Sequence, residues 1–286
     1  MSQGYLSLAR SAFHQELLDQ IIHTDQEGVP NFADSSQLFS REVARHIYSA
    51  IGGKLRKGRL SGQTLGNQFE LITSKYIEET FLKLGHLRPG NWTIEQIRSR
   101  SSNAIARFEQ YTHLIDLKAL ADSNQVLAAA LGNDYAISPD IVVLREPEED
   151  DSINRKEILV DRDSSKQSTI RKIANAVPVL HASISCKWTL RSDRAQNARS
   201  EALNLLRNRK GRSPHIVILT AEPTPSRISS IALGTGDIDC VYHFALYELQ
   251  EAVRTYGNDD NNHLLDIMIE GKRLKDISDL PLDLAV

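Results

Sequence analysis

Residues 181–201 read His-Ala-Ser-Ile-Ser-Cys-Lys-Trp-Thr-Leu-Arg-Ser-Asp-Arg-Ala-Gln-Asn-Ala-Arg-Ser-Glu, and the period of the pattern changes halfway along. The first half alternates. It puts Ala182, Ile184 and Cys186 on one face of a strand and Ser183, Ser185 and Lys187 on the other. A lysine that ends such a strand beside serines points at a site rather than into an apolar core. The second half takes up helical spacing, with Ala195, Ala198, Ala202, Leu205 and Leu206 in one stripe and Ser192 or Asp193 placed to cap it. Glu201 lies at the edge of that stripe. A helix that leaves a strand and packs back on the sheet returns Glu201 toward Lys187, although from the residues alone an ordinary surface glutamate fits better.

Outward from this unit, β-branched runs predict strands at 141–144, 158–160, 215–220 and 238–244. Helical spacing covers 38–51, 65–84, 105–131, 194–209 and 245–255. In 65–84, Phe69, Ile72, Tyr76, Ile77, Phe81 and Leu84 recur at that spacing, and Gly85 and Gly132 stand where a helix C-terminus favours glycine. Strands alternating with helices predict an α/β sheet covered on both faces. We expect a single domain over 1–286, with a helical N-terminal part to about 132, an α/β core at about 133–256, a C-terminal segment at 257–286, and 146–176 as an excursion.

With 41% apolar and 25% charged residues, the 286-residue chain has ordinary globular composition, which excludes disorder. No stretch approaches the ~20 apolar residues that span a bilayer, and no secretory signal is visible. Two cysteines, Cys186 and Cys240, are too few for a disulfide framework. The expected location is the cytoplasm, with no membrane partner. The net charge of −3 does not suggest nucleic acid, but residues 187–212 carry eight basic residues against Asp193 and Glu201. A local excess of that size is the footprint of a phosphate-contacting surface, with a solvated helix face an even rival.

Asp140, after Pro139, opens the strand at 141–144. A carboxylate there and a lysine ending a second strand suit phosphodiester hydrolysis. The carboxylate holds a divalent metal, and the ammonium orients or activates water and offsets charge on the transition state. The familiar version of such a site has a second acid two residues before the lysine. Ser185 occupies that position here.

Pro139-Asp140, then 44 residues, then Ser185-Cys186-Lys187, then 13 more, then Glu201, resembles the variant PD-(D/E)xK site of the tetrameric, type IIF-like type II restriction endonucleases. In that group the second carboxylate is displaced onto the following helix. The resemblance extends to Gly62-Gln63-Thr64, to 221–236 and to 277–286, and runs nearly the whole chain. It implies a restriction-endonuclease-like core with a mixed central sheet flanked by helices. It also implies Mg²⁺-dependent cleavage of duplex DNA, with one or two ions per site. Asp140 would be the central metal ligand, Lys187 the catalytic lysine, Glu201 the displaced carboxylate and Glu70 a further acid near the metal. The backbone carbonyl of Cys186 would add a ligand.

The group's recognition motif matches Arg191-Ser192-Asp193-Arg194. Arginine can donate to guanine O6 and N7, and aspartate can accept from cytosine N4, so this helix start can read G and C edges. A salt-bridged helix cap fits the spacing alone equally well. Members share a central CCGG and differ at the flanking pair. Asp34 and Arg227 match readers of an outer G·C pair, which implies GCCGGC cut after the first G to leave 5′-CCGG overhangs. Ser36 and Gln63 are further groove candidates. The group also implies dimers paired into homotetramers and a DNA methyltransferase of the same specificity as functional partner.

Two other readings share these residues: a non-catalytic sequence-specific DNA binder, and a nuclease that recognises DNA structure. The first is disfavoured by Asp140, Lys187, Glu201 and Glu70 standing together, the second by the intact 191–194 motif. His181, His215 and His243 lack a second ligand at metal spacing and read as core or supporting residues. Gly234-Thr235-Gly236 lacks a P-loop lysine, which argues against nucleotide hydrolysis.

Overall fold

The computed structural model describes residues 3–58, 60–97, 104–131, 137–234 and 236–286. Among them a six-stranded sheet runs in spatial order β1 (Trp92–Gln96), β2 (Ile141–Arg145), β3 (Val179–Lys187), β4 (His215–Thr220), β5 (Cys240–His243), β6 (Leu274–Asp276). The first two pairings are antiparallel and the remaining three parallel, so the sheet is mixed.

The helices, in chain order, are α1 (Tyr5–Gln20), α2 (Leu38–Ala50), α3 (Gly62–Phe81), α4 (Leu114–Ser123), α5 (Gln125–Leu131), α6 (Asp150–Ile153), α7 (Ser192–Asn208), α8 (Pro225–Ala232), α9 (Leu246–Tyr256), α10 (Asp259–Glu270) and α11 (Leu280–Asp283). Parallel neighbours need crossover connections, and α7, α8 and the α9–α10 pair supply them. With helices flanking the sheet, residues 180–186 are all buried although every second side chain there is polar.

The α3 helix is held by a mixed aromatic and aliphatic face. Phe69, Ile72, Tyr76, Ile77 and Phe81 are buried, and Phe69 meets Trp188 edge-on at 5.0 Å just beyond β3. Phe32, from the loop before α2, meets Trp188 at 6.0 Å, and Phe244, just after β5, meets it at 6.2 Å, so three segments converge on the residue after Lys187. Burying each such ring contributes about 1.5–3 kcal/mol. Among the described residues no helix is long and apolar enough to cross a membrane.

Several expectations need correction. The N-terminal part is not wholly helical, because β1 lies within it and forms the sheet edge. The predicted helix at 105–131 is broken. Residues 104–108 form turns, a 3₁₀ turn follows at Glu109–Tyr111, and Asn124 separates α4 from α5 by accepting the Val126 amide on its side chain. Gly132 lies outside the described residues. Residues 158–160 form no strand. Asn154 accepts both the Leu159 and Val160 amides at 2.9 and 3.0 Å, which uses the groups a ladder needs.

Gly85 is not a left-handed cap, since its φ is −56° and α3 ends instead in a 3₁₀ turn at Leu82–Leu84. At the start of α7 neither Ser192 nor Asp193 is the cap. The N-cap is Arg191, with no side-chain cap bond. The excursion at 146–176 is organised around Arg171, which is 3% exposed, donates twice to Asp150 at 2.6 Å and also reaches the Ser164 and Asp161 carbonyls.

Candidate active site

The antiparallel register sets Ile141 against Ile184, so Asp140 falls beside the end of β3. One carboxylate oxygen, Oδ2, accepts from the Cys186 amide at 2.7 Å, the Lys187 ammonium at 2.9 Å and the Ser185 hydroxyl at 3.3 Å. Burial alone would lower the Lys187 ammonium, but the negative charges of Asp140 and Glu201 outweigh it and raise its pKa, so Lys187 is a cation at neutral pH.

The α7 helix turns Ala198, Ala202 and Leu205 inward, all 3% exposed or less, and this brings Glu201 back to the strand end. Burial pushes the Glu201 carboxyl up to about 8; Lys187 opposes the rise and Asp140 adds to it. Its oxygen Oε1 is buried and, among the described residues, has no hydrogen-bond partner. An orphaned acceptor of this kind costs about 1–3 kcal/mol, so its retention calls for a ligand or a role.

Glu70 reaches the same cleft from α3. Gln96, on β1, donates to Glu70 Oε2 at 3.0 Å, and the backbone of Ile97 donates to the Asp140 carbonyl at 2.9 Å. The cleft, about 410 Å³, is bordered by Asn67, Glu70, Gln96, Ser138 and Asp140. The Cys186 thiol is buried away from it; burial pushes its pKa well up, with Asp140 and Glu70 adding, so the sulfur is a neutral thiol. The contact that Cys186 makes with Asp140 is through its backbone.

Among the described residues no three histidine, cysteine or acidic side chains stand close enough to cage a metal ion by themselves. Mg²⁺ needs no such cage. It keeps several waters and binds through one or two carboxylates with substrate phosphate. Hard oxygen donors at Asp140 and Glu201 fit that requirement.

The residues matched to base reading fall into two groups. Arg191 and Asp193 are exposed at the start of α7, and Arg194 beside them donates to the Thr189 hydroxyl at 3.0 Å. Asp34 and Arg227, 193 positions apart, meet in an ion pair. Asp34 also accepts the Ser36 hydroxyl and amide at 2.6 and 3.0 Å. Those bonds and Arg227 hold its carboxyl down at about 2. Gln63 is exposed in the first turn of α3.

Sequence reading missed Gln96, because the strand carrying it was unrecognised, and Glu222, a completely buried carboxylate after β4. The signal for the latter was an acid directly after an apolar strand, in Ala221-Glu222-Pro223-Thr224-Pro225.

Residues 13–286 match the family model described as NgoMIV restriction enzyme. The chain is 56% identical over 278 residues, 97% of each protein, to the type II restriction enzyme NgoMIV of Neisseria gonorrhoeae. Two solved structures show looser likeness. The restriction endonuclease PspGI–substrate DNA complex is 15% identical with TM-score 0.36, covering 98% of this chain and 89% of that one. The type IIF restriction endonuclease Bse634I with cognate DNA is 14% identical with TM-score 0.40, covering 90% and 92%. At these values they add nothing to the assignment, which rests on the family match and the close relative.

A mixed sheet flanked by helices, with acids and a lysine gathered at its strand ends, is here the frame of a type II restriction endonuclease, a site-specific deoxyribonuclease. The chain belongs to the NgoMIV restriction enzyme family. Enzymes of this class and fold generally use a divalent metal ion.

Proposed function

We propose that this enzyme hydrolyses duplex DNA with Mg²⁺ at a palindrome containing CCGG, and that the palindrome is GCCGGC, cut after the first G to leave 5′-CCGG overhangs. The observation that carries the reading is the meeting of Asp140, Lys187 and the buried Glu201 carboxyl at one strand end. Asp140 and Glu201 would hold one or two Mg²⁺ ions, with Glu70 and the Cys186 carbonyl as further ligands. A bound ion supplies Lewis-acid polarisation of the phosphate and a more acidic water. Lys187, kept charged by its neighbours, orients the attacking water and offsets negative charge growing on the phosphate oxygens. The Cys186 amide and Ser185 hydroxyl hold the Asp140 carboxylate in place.

Specificity follows from the same chemistry. An arginine and an aspartate in contact offer donors for guanine O6 and N7 and an acceptor for cytosine N4, which suits Arg227 and Asp34 to one G·C pair. Arg191, Asp193 and Arg194 read the central pairs, while Ser36 and Gln63 add groove contacts. A palindrome calls for a twofold dimer, and two dimers back to back form a homotetramer that binds two sites. The enzyme works in the cytoplasm beside a DNA methyltransferase of the same specificity.

The test is digestion of a sequenced plasmid with purified protein and Mg²⁺, then run-off mapping of both strands. Discrete cuts within GCCGGC are expected. Cuts at other CCGG-containing sites would overturn the roles of Asp34 and Arg227, and tight binding without cleavage would overturn the catalytic reading.

A further inference from the structure

One buried carboxylate joins the two groups of residues read as base contacts. Glu222 follows β4 and is 0% exposed. A buried charge is tolerated only when donors surround it, and here they do. Oε2 accepts from the Leu190 amide at 2.9 Å, and Oε1 accepts from the Thr224 amide at 3.3 Å and from the Thr224 hydroxyl. Arg227 Nη1 stands 3.7 Å from Oε2, while Nη2 of the same guanidinium goes to Asp34.

Leu190 immediately precedes Arg191, and Arg227 lies in the first turn of α8. Thus a single side chain touches the backbone that leads into α7 and the guanidinium that α8 sends toward the N-terminal loop. The loop bearing Glu222 is itself fixed to the catalytic strand's extension, since the Ala221 amide donates to the Trp188 carbonyl at 3.3 Å.

We propose that Glu222 is a positioning residue for sequence recognition. It sets the start of α7 and the Arg227 guanidinium relative to each other, so that both reading groups meet the base pairs in one register. This rests on the reading of Arg191, Asp193, Arg194, Arg227 and Asp34 as base contacts. An arginine whose two amino groups are already committed in direction loses less freedom when it docks on a guanine, and a wrong base then finds it unable to adapt. The segment before Arg191 gains the same stiffness through the Leu190 amide.

The experiment compares kcat/KM on the cognate duplex with kcat/KM on duplexes altered at one base pair. Glu222→Gln keeps the size but offers one acceptor oxygen, so its amide group must face either the Leu190 N–H or the Thr224 donors. It should lower the cognate preference about tenfold, the scale of one charged hydrogen bond. Thr224→Val removes a single donor to Glu222 and no charge. It should shift the preference the same way by less, and it carries the test if Glu222→Gln does not fold. At the outer pair, Glu222→Gln should cost less when added to Arg227→Ala than when made alone.

Wild-type preference in both variants, or equal loss on every duplex as a general structural lesion would give, overturns the proposal. The single variants Arg191→Ala and Arg227→Ala separate the two levels. If they lower the preference while the Glu222 and Thr224 variants leave it intact, only the positioning role falls. If they too leave it intact, the base-contact reading fails and takes this role with it.

Discussion

Glu201 combines a buried oxygen without a partner among the described residues and a carboxyl held up at about 8, mainly by burial. Below that pH the group is protonated, and a cation that binds it must displace the proton. Calorimetric titration with Ca²⁺ should therefore show affinity rising with pH toward about 8, and Glu201→Gln should lose that slope. An unchanged slope would remove Glu201 from the ion's ligands. Asp140→Ala should abolish cleavage while leaving cognate binding measurable in Ca²⁺ by gel shift, and turnover in that variant would refute its role. Arg191→Ala should cost about 1–3 kcal/mol of discrimination, as one bidentate guanine contact does. Equal losses on cognate and random DNA would make it a phosphate contact instead. At this scale strand alternation made Lys187 legible and the Pro-Asp strand start made Asp140 so. The pattern could not supply Glu201's return, which depends on how α7 packs, nor the meeting of Asp34 with Arg227 across 193 positions.

The α7 helix positions the site through a face of small residues. Ala198, 3% exposed, lets α7 lie close, and Ala198→Leu should push the helix outward at about 1–3 kcal/mol of stability. Because Glu201 and the 191–194 segment ride on the same helix, cleavage rate and sequence preference should both fall, measured against unfolding by denaturant. Loss of stability without change in either would show that α7 tolerates the shift. The elements of the 179–208 unit were legible because their periods are strong and uninterrupted. The boundary at 124 within 105–131, and residues 158–160, misled because asparagine side chains, at Asn124 and Asn154, capture backbone amides that helix or ladder would have used. The β1 strand, Trp-Thr-Ile-Glu-Gln, is half-buried throughout and gives no clean alternation of burial.

For the whole molecule, pH acts through buried histidines as well. His181, bonded through Nε2 to the Leu284 carbonyl at 2.8 Å, is pushed down to about 3 by burial, and His243 to about 4. The unfolded chain protonates both near their ordinary value of about 6.5. Below that pH the unfolded state binds more protons than the folded one, so their contribution to stability is present above it and is lost on acidification. Glu201 pulls the other way between the ordinary carboxylate range and about 8, because there the folded state holds the extra proton. Metal-free Glu201→Gln should accordingly show a steeper fall in Tm from pH 7 to pH 5 than the wild type, and His181→Gln a shallower one. Parallel curves for all three would contradict the assignment of these groups. The mixed sheet was implied by the resemblance, whereas composition and alternation alone reached only an α/β fold covered on both faces.

Lys187 and Arg191 are separated by three residues, and Glu201 rides on the helix that Arg191 caps. In the proposed reading, blade and gauge are thus neighbours on one short run of chain. On that reading, the offset between the bases inspected and the bond broken is bounded by a short stretch of covalent chain, Trp188 to Leu190. A descendant of this enzyme would, on that reading, change its outer letter through Asp34 or Arg227, which lie outside that run of chain. On the same reading, a change at its central letters would act beside the groups that set the cut.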